Sequence, residues 1–154
     1  MKTKTCCFTG HRDIPKKEYR SIKEKTEKEI LTLINQGVTY FGTGGARGYD
    51  TVAAEIIIKL KKTYPHIKLI LILPCANQIK GWKLSDKIKY DHITKKADKV
   101  KLLSQKYYRG CMHARNRHMV DNSAYCICYC RKTDGGTAYT VDYAIKNNLN
   151  IVYI

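Results

Sequence analysis

Short apolar runs alternate along the chain with longer segments in which apolar residues recur every three or four positions. The runs at 5–9, 38–42, 67–73, 99–103, 124–130 and 151–154 have the length of strands. The run at 67–73 is apolar almost throughout, the pattern of a strand buried on both faces. Residues 16–36 place Tyr19, Ile22, Thr26, Ile30, Leu33 and Ile34 on one helical stripe, with Pro15 at its start and Gly37 at its end. The spacing also predicts helices from Asp50, as N-cap, to about residue 62, over 80–96 with a weaker pattern around Trp82, over 111–122 and over 136–147. No repeat, low-complexity tract or linker interrupts this alternation. Strands alternating with helices imply parallel pairing through right-handed crossovers. The expected fold is therefore α/β, Rossmann-like and doubly wound, a mostly parallel sheet with helices on both faces, formed by residues 1–154 as one domain.

Sheets of this kind bind ligands beyond the carboxyl ends of their strands, so the turns that follow strands carry the candidate chemistry. After the first strand comes Thr9-Gly10-His11-Arg12. Gly10 allows a sharp turn, Arg12 offers a bidentate fork to a phosphate, and His11 suits a phosphate donor or a general acid/base. An exposed polar loop is the plainer alternative. After the second strand comes Gly42-Thr43-Gly44-Gly45-Ala46-Arg47-Gly48-Tyr49-Asp50-Thr51. Gly44, Gly45 and Gly48 before a helix would expose backbone N–H groups to an anion, Arg47 adds charge, and Asp50 and Thr51 open the helix. No Lys-Ser/Thr follows the last glycine, so this is not a Walker A loop. After the fifth strand, Gly135, Gly136 and Thr137 again meet a helix N-terminus, preceded by Arg131 and Lys132. Arg115 and Asn116 lie on the preceding helix. They read either as pocket groups or as a solvated face, with Met112, Met119 and Val120 on the buried side. Together these stretches predict a phosphate-bearing, nucleotide-like ligand.

Charge widens the range of partners. The 154 residues carry a net charge of +16, which favours anions: nucleotides, nucleic acid or acidic lipid. The lysines are scattered over several segments, so solvated helix faces and a functional basic patch remain equal readings. No apolar stretch approaches the roughly 18 residues of a membrane span, and the start of the chain lacks a signal-peptide pattern, so a cytoplasmic location is expected. Seven cysteines without an export signal argue against a disulfide framework. Cys126, Cys128 and Cys130 alternate along one strand and share a face. They read as small apolar residues under a helix, and no metal or resident cofactor is called for.

At this point the residues resemble a known family. Gly44-Gly45-Ala46-Arg47-Gly48-Tyr49-Asp50-Thr51 is similar to the glycine loop of the DNA-processing protein DprA. Met112-His113-Ala114-Arg115-Asn116 and Asp134-Gly135-Gly136-Thr137 are similar to motifs of the LOG phosphoribohydrolases. Both belong to the SLOG superfamily. The Thr9–Arg12 tetrapeptide and the run Arg115-Asn116-Arg117-His118-Met119-Val120-Asp121 most resemble its YpsA-like branch. The resemblance implies a Rossmann-like fold and a nucleotide or nucleotide-derived ligand. Members of that branch are proposed as ligand sensors linked to cell-envelope or division processes. Relatives often dimerise, which keeps a homodimer open. One departure matters. Where the LOG enzymes carry a catalytic glutamate, three residues after the motif threonine, this chain has Thr140. Asp142 is two residues further on, about 200° around the helix, and Glu55 lies over a turn from the glycine loop. The resemblance therefore implies a ligand sensor without strong catalysis. A single-stranded nucleic-acid binder of the DprA kind is the first alternative, and a LOG-type hydrolase the second.

Overall fold

Every expected strand and helix forms in the computed structural model, which describes residues 1–154. In chain order they are β1 (Thr5–Gly10), α1 (Lys16–Asn35), β2 (Tyr40–Thr43), α2 (Tyr49–Leu60), β3 (Lys68–Leu73), α3 (Leu84–Lys96), β4 (Lys99–Leu102), α4 (Cys111–Asp121), β5 (Tyr125–Tyr129), α5 (Gly135–Lys146) and β6 (Asn150–Tyr153), after a short 3-10 turn at Lys2–Lys4. The largest shift is at α3, which begins four residues later than the spacing suggests. Gly81 has φ near 82°, and Trp82 N–H donates to Ile79 O, so this stretch turns before the helix starts. Asp50 does not cap α2 either. Gly48 takes that place at φ 81°, and Asp50 sits one residue into the first turn.

The six strands form one sheet in the order β4-β3-β2-β1-β5-β6, and every pairing is parallel. The Rossmann-like expectation holds, and "mostly parallel" sharpens to wholly parallel. From β1 the chain steps through β2 and β3 to β4, and α2 packs on β1, β2 and β3 between α1 and α3. It then returns through α4 to β5 on the other side of β1, where α4 and α5 cover the opposite face.

Alternation along the strands explains the two-sided core. Cys6, Phe8, Ile127 and Tyr129 point towards α1–α3, in a cluster of 23 buried residues with Phe41, Leu69, Ile30 and Ile57. Their neighbours Cys7, Cys126 and Cys128 point the other way, in a cluster of nine with Met119 and Val120 of α4 and Val141 and Ala144 of α5. The alternating cysteines do pack under helices as small apolar side chains, with Cys130 half-buried at the end of the row. All seven are free. No helix is long and apolar enough to cross a membrane.

Candidate functional site

The strand order locates the crevice. β1 sends its connection one way along the sheet and β5 sends its connection the other way, so the switch point lies between these two neighbours. Beyond their carboxyl ends the following chain must diverge, leaving a gap that nothing in the sheet fills. A cavity of about 530 Å³ opens there, lined by Gly10, His11, Arg12 and Asp13 after β1 and by Arg131, Lys132, Gly136 and Thr137 after β5. Ala46 and Asp50 close one side, Met112, Arg115 and Asn116 of α4 another, and Glu18 of α1 reaches in from its first turn.

Arg115 is the most constrained of these groups. It is 4% exposed, yet it carries a full charge. Its Nη1 donates to Gly44 O and, at 3.5 Å, to Gln78 Oε1, while Nε donates to Asn116 Oδ1 at 2.7 Å. The Nη2 group has only the Met112 sulfur, at 3.9 Å. Burial pulls the Arg115 pKa down and pushes that of Asp50 up, and each is the main charge opposing the shift of the other. The pair thus faces the cavity as a partly neutralised buried unit with one guanidinium edge almost unpartnered.

His11 is fixed by its neighbours. The Arg131 N–H donates to His11 Nε2 at 2.7 Å, and the ring packs edge-on against Tyr129 with centroids 5.2 Å apart. Burial, then Lys132 and Arg131, lower its pKa, so the neutral ring with its proton on Nδ1 is favoured. Arg131 lies over the Tyr129 ring at 4.8 Å and donates to Ile154 O at 2.7 Å. The α5 N-terminus adds backbone donors. Asp134 makes no side-chain cap, so the first N–H groups of α5 have no side-chain partner beside the cavity.

Of the residues singled out in the sequence, the cavity brings together Gly10, His11, Arg12, Asp50, Arg115, Asn116, Gly136 and Thr137. Gly135 adjoins it at the start of α5. Gly44, Gly45, Arg47, Gly48 and Thr51 do not line it. The glycine loop after β2 folds on itself instead. Ala46 N–H donates to Asp50 Oδ2 at 3.2 Å, Thr51 Oγ1 to Ala46 O at 3.2 Å, and Gly44 O accepts from Arg115 and Gln78. The buried Asp50 carboxylate takes an N–H group that the loop would otherwise offer to an anion. Arg12, Arg47, Gly48 and Thr51 border a separate depression of about 180 Å³ with Asp86 and Lys89, and Arg47 pairs with Asp13 at 3.4 Å.

The turn at 44–48 is nonetheless needed to build the cavity. Gly48 packs against the Arg12 backbone, and Tyr49 N–H donates to His11 O at 3.1 Å, which ties the β1 turn to the α2 start. Gly10 lies flat on the Tyr49 ring, where any Cβ would collide. Sequence reasoning passed over Asp13, Glu18, Met112 and Tyr129 as site residues. Asp13 and Glu18 had a readable signal, since the chain just after β1 and the first turn of α1 must lie at the same sheet edge. Thr140 is 1% exposed and donates to Gly136 O at 2.8 Å, facing its own helix. No cluster of three or more His, Cys, Asp or Glu side chains converges in metal-binding geometry.

Comparisons with known proteins agree with this architecture. A UPF0398 protein of Halalkalibacterium halodurans is 34% identical over 128 residues, covering 81% of this chain and 68% of the relative. The SPbeta prophage-derived protein YoqJ of Bacillus subtilis is 31% identical over 141 residues, covering 83% and 82%. Among solved structures, DprA from Streptococcus pneumoniae superposes with a TM-score of 0.71 at 17% identity over 99% of this chain. DprA from Helicobacter pylori gives 0.68 at 19% identity over 97%. At such identities the likeness is one of fold, and this chain spans 50% of the S. pneumoniae protein and 64% of the H. pylori one. The family model YpsA, described as the YspA SLOG family, matches residues 6–153, and the chain therefore belongs to that family.

Proposed function

We propose that the protein binds a nucleotide or nucleotide derivative in the β1/β5 crevice and acts as a ligand sensor more than as an enzyme. The observation that carries this reading is the buried Arg115, whose Nη2 edge meets only a sulfur on the wall of a 530 Å³ cavity. A buried guanidinium edge left nearly unpaired is costly, and a phosphate oxygen is its natural complement. Arg12, Arg131, Lys132 and the uncapped α5 N-terminus supply further donors around it. The volume lies within the range of small-molecule sites. Asp13 and Glu18 at the rim offer acceptors for sugar hydroxyls.

Binding without cleavage is favoured because Thr140 stands where the LOG resemblance implies a glutamate, and its hydroxyl is turned to Gly136 O. Asp50, the one buried acid in the cavity, is engaged by the Ala46 N–H beside Arg115. The test is a thermal-shift screen of nucleoside mono-, di- and triphosphates, dinucleotides and nucleotide sugars. One class should raise the melting temperature, and Arg131→Glu should remove that shift. Silence across the panel at millimolar concentration overturns the reading, and release of free base on long incubation overturns its non-catalytic part.

The second reading, single-stranded nucleic-acid binding, is favoured by the +16 charge and by exposed Tyr107 and Tyr108 beside Lys106 and Arg109. The H. pylori DprA structure is described as a single-stranded DNA binding mode. This reading expects oligonucleotide affinity to fall steeply between low and physiological salt, and a salt-independent response counts against it.

A further inference from the structure

The two faces of the sheet are unequally covered. Three helices and a 23-residue cluster cover one face, and two helices and a nine-residue cluster cover the other. A parallel sheet ordinarily has both faces buried under helices. On the α4 side, α4 reaches across β1 to β3 but β4 is exposed along its length, and a second cavity of about 230 Å³ lies there, well away from the β1/β5 crevice.

Its floor is one row of the sheet. Cys7, Gly42, Ile70 and Lys99 are Cα partners in adjacent strands, and Ile72 pairs with Lys101 in the next row. His118 and Met119 of α4, with Asn122 just past its end, form one wall, and Met1 with Lys2 of the 3-10 turn form the end. Cys7, Gly42, Ile70 and Ile72 make the centre of the floor apolar, Lys99 and Lys101 edge it on β4, Lys2 adds a third cation, and no Asp or Glu lines it. The nearest acid to His118 is Asp121, whose carboxylate accepts from the Tyr143 hydroxyl at 2.7 Å.

The chemistry selects among occupants. The cavity is smaller than the roughly 300–1,000 Å³ of ligand sites, and suits one or two apolar anchor side chains. A second copy would set lysines against the same lysines across a two-fold contact. A helix is the element that ordinarily covers a parallel sheet, and β4, next to the α4-covered strands, is exposed along its length. We propose that the β2–β3–β4 face docks an acidic amphipathic helix of a partner protein, with an apolar anchor over Gly42 and carboxylates on Lys99 and Lys101.

Gly42 supplies a plug. A Cβ there would come no closer than 3.9 Å to Ile70 O, so a side chain can leave Gly42 without a backbone clash, and Gly42→Val would direct its methyls into the cavity. The probe is a synthetic peptide of about 18 residues with leucines at i, i+3, i+4 and i+7, glutamates only at the positions flanking that stripe, and alanine elsewhere to favour the helix. A control peptide carries lysines for the glutamates. Amide NMR on the intact chain should show saturable shifts at Gly42, Ile70, Ile72, Lys99 and Lys101 with the acidic peptide only. Gly42→Val should keep the wild-type melting temperature and weaken binding at least tenfold. The Lys99→Glu, Lys101→Glu double variant should do the same by reversing the rim. Shifts centred on Arg12 and Arg131, or binding indifferent to both variants, overturn the proposal. So do concentration-dependent shifts of the floor amides without peptide, which would mark self-association, and saturation by octanoate alone, which would mark a small amphiphile. Nucleotide binding is read at the other cavity, so either result stands without the other.

Discussion

At the residue scale, the cavity depends on two close approaches that no other side chain permits. Gly48 holds φ 81° and its missing Cβ faces the Arg12 backbone, so both conformation and space demand glycine. Gly48→Ala should cost about 2–3 kcal/mol or more, as strain in φ adds to overpacking. Denaturant titration would measure this, and a loss under 1 kcal/mol would refute the close packing of these turns. His11 makes a second prediction. Its folded pKa lies below the unfolded one, so the folded protein binds fewer protons as pH falls through the ordinary histidine range. Stability from this residue is present above pH about 6.5 and is lost as pH drops towards the depressed folded value. The cause, after burial, is Lys132 and Arg131, so a bound phosphate beside them should raise the midpoint. Proton NMR of the His11 ring with and without inorganic phosphate reads both directions, and a midpoint unmoved by phosphate would place the anion elsewhere. Neither Gly48's neighbour nor His11's partner is visible in the chain, because each lies far away in sequence.

At the scale of elements, the periodic pattern was legible because burial is two-sided and regular. Cys6 and Cys7 face opposite cores, as do Ile127 and Cys128, so alternation survives even where the run is wholly apolar. What the spacing misplaced are ends that tertiary contacts decide. Residues 80–83 look helical, yet Gly81 turns there and Trp82 packs edge-on against Tyr90 at 5.6 Å. Asp50 looks like a cap, yet its carboxylate is drawn inward by Ala46 N–H and Arg115. Strand order was the decisive missing piece. The glycine-rich turn after β2 is the strongest local signal, but the switch point lies between β1 and β5, and only the sheet order shows that. One hydrogen bond joins elements in a way that can be tested. Thr26 of α1 and the Tyr49 hydroxyl of α2 are 2.9 Å apart and fully buried, and Tyr49 also floors the Gly10 turn. Tyr49→Phe leaves the Thr26 hydroxyl unpaired at nearly constant volume. It should destabilise by about 1–3 kcal/mol, with the phosphate response intact. Loss of that response at unchanged stability would mean that Tyr49 acts on the ligand and not on the packing of α1 against α2.

At the scale of the whole molecule, charge is the dominant unresolved force in the sequence, and the structure divides it into parts with different consequences. Some cations are paired: Lys59 with Glu27, Lys61 with Asp98, Lys95 with Asp91 and Arg20 with Glu24. These pairs are mostly exposed and contribute little each. Others converge on the β1/β5 crevice or on the Lys99–Lys101 rim, and the remainder repel one another across the surface. An excess of +16 on 154 residues should make the fold more stable as salt screens that repulsion, over the range in which the Debye length falls from about 30 Å to about 10 Å. Anion binding in the crevice should move the opposite way, weakening with the same salt because it gains from unscreened charge. The two trends separate the readings of the basic composition. If the lysines only solvate helix faces, replacing Lys25, Lys62 and Lys146 by glutamate should raise the melting temperature at low salt and leave phosphate affinity within about twofold, an energy change of about 0.4 kcal/mol. If the charge acts as one field that gathers anions, the same three distant substitutions should weaken phosphate binding by more than that, with the loss disappearing at high salt. The local geometry around Arg115, Arg131 and the α5 N-terminus favours the first outcome, because the donors there are held in place by Gly44, Asn116 and Ile154 and not by the charge of the surface.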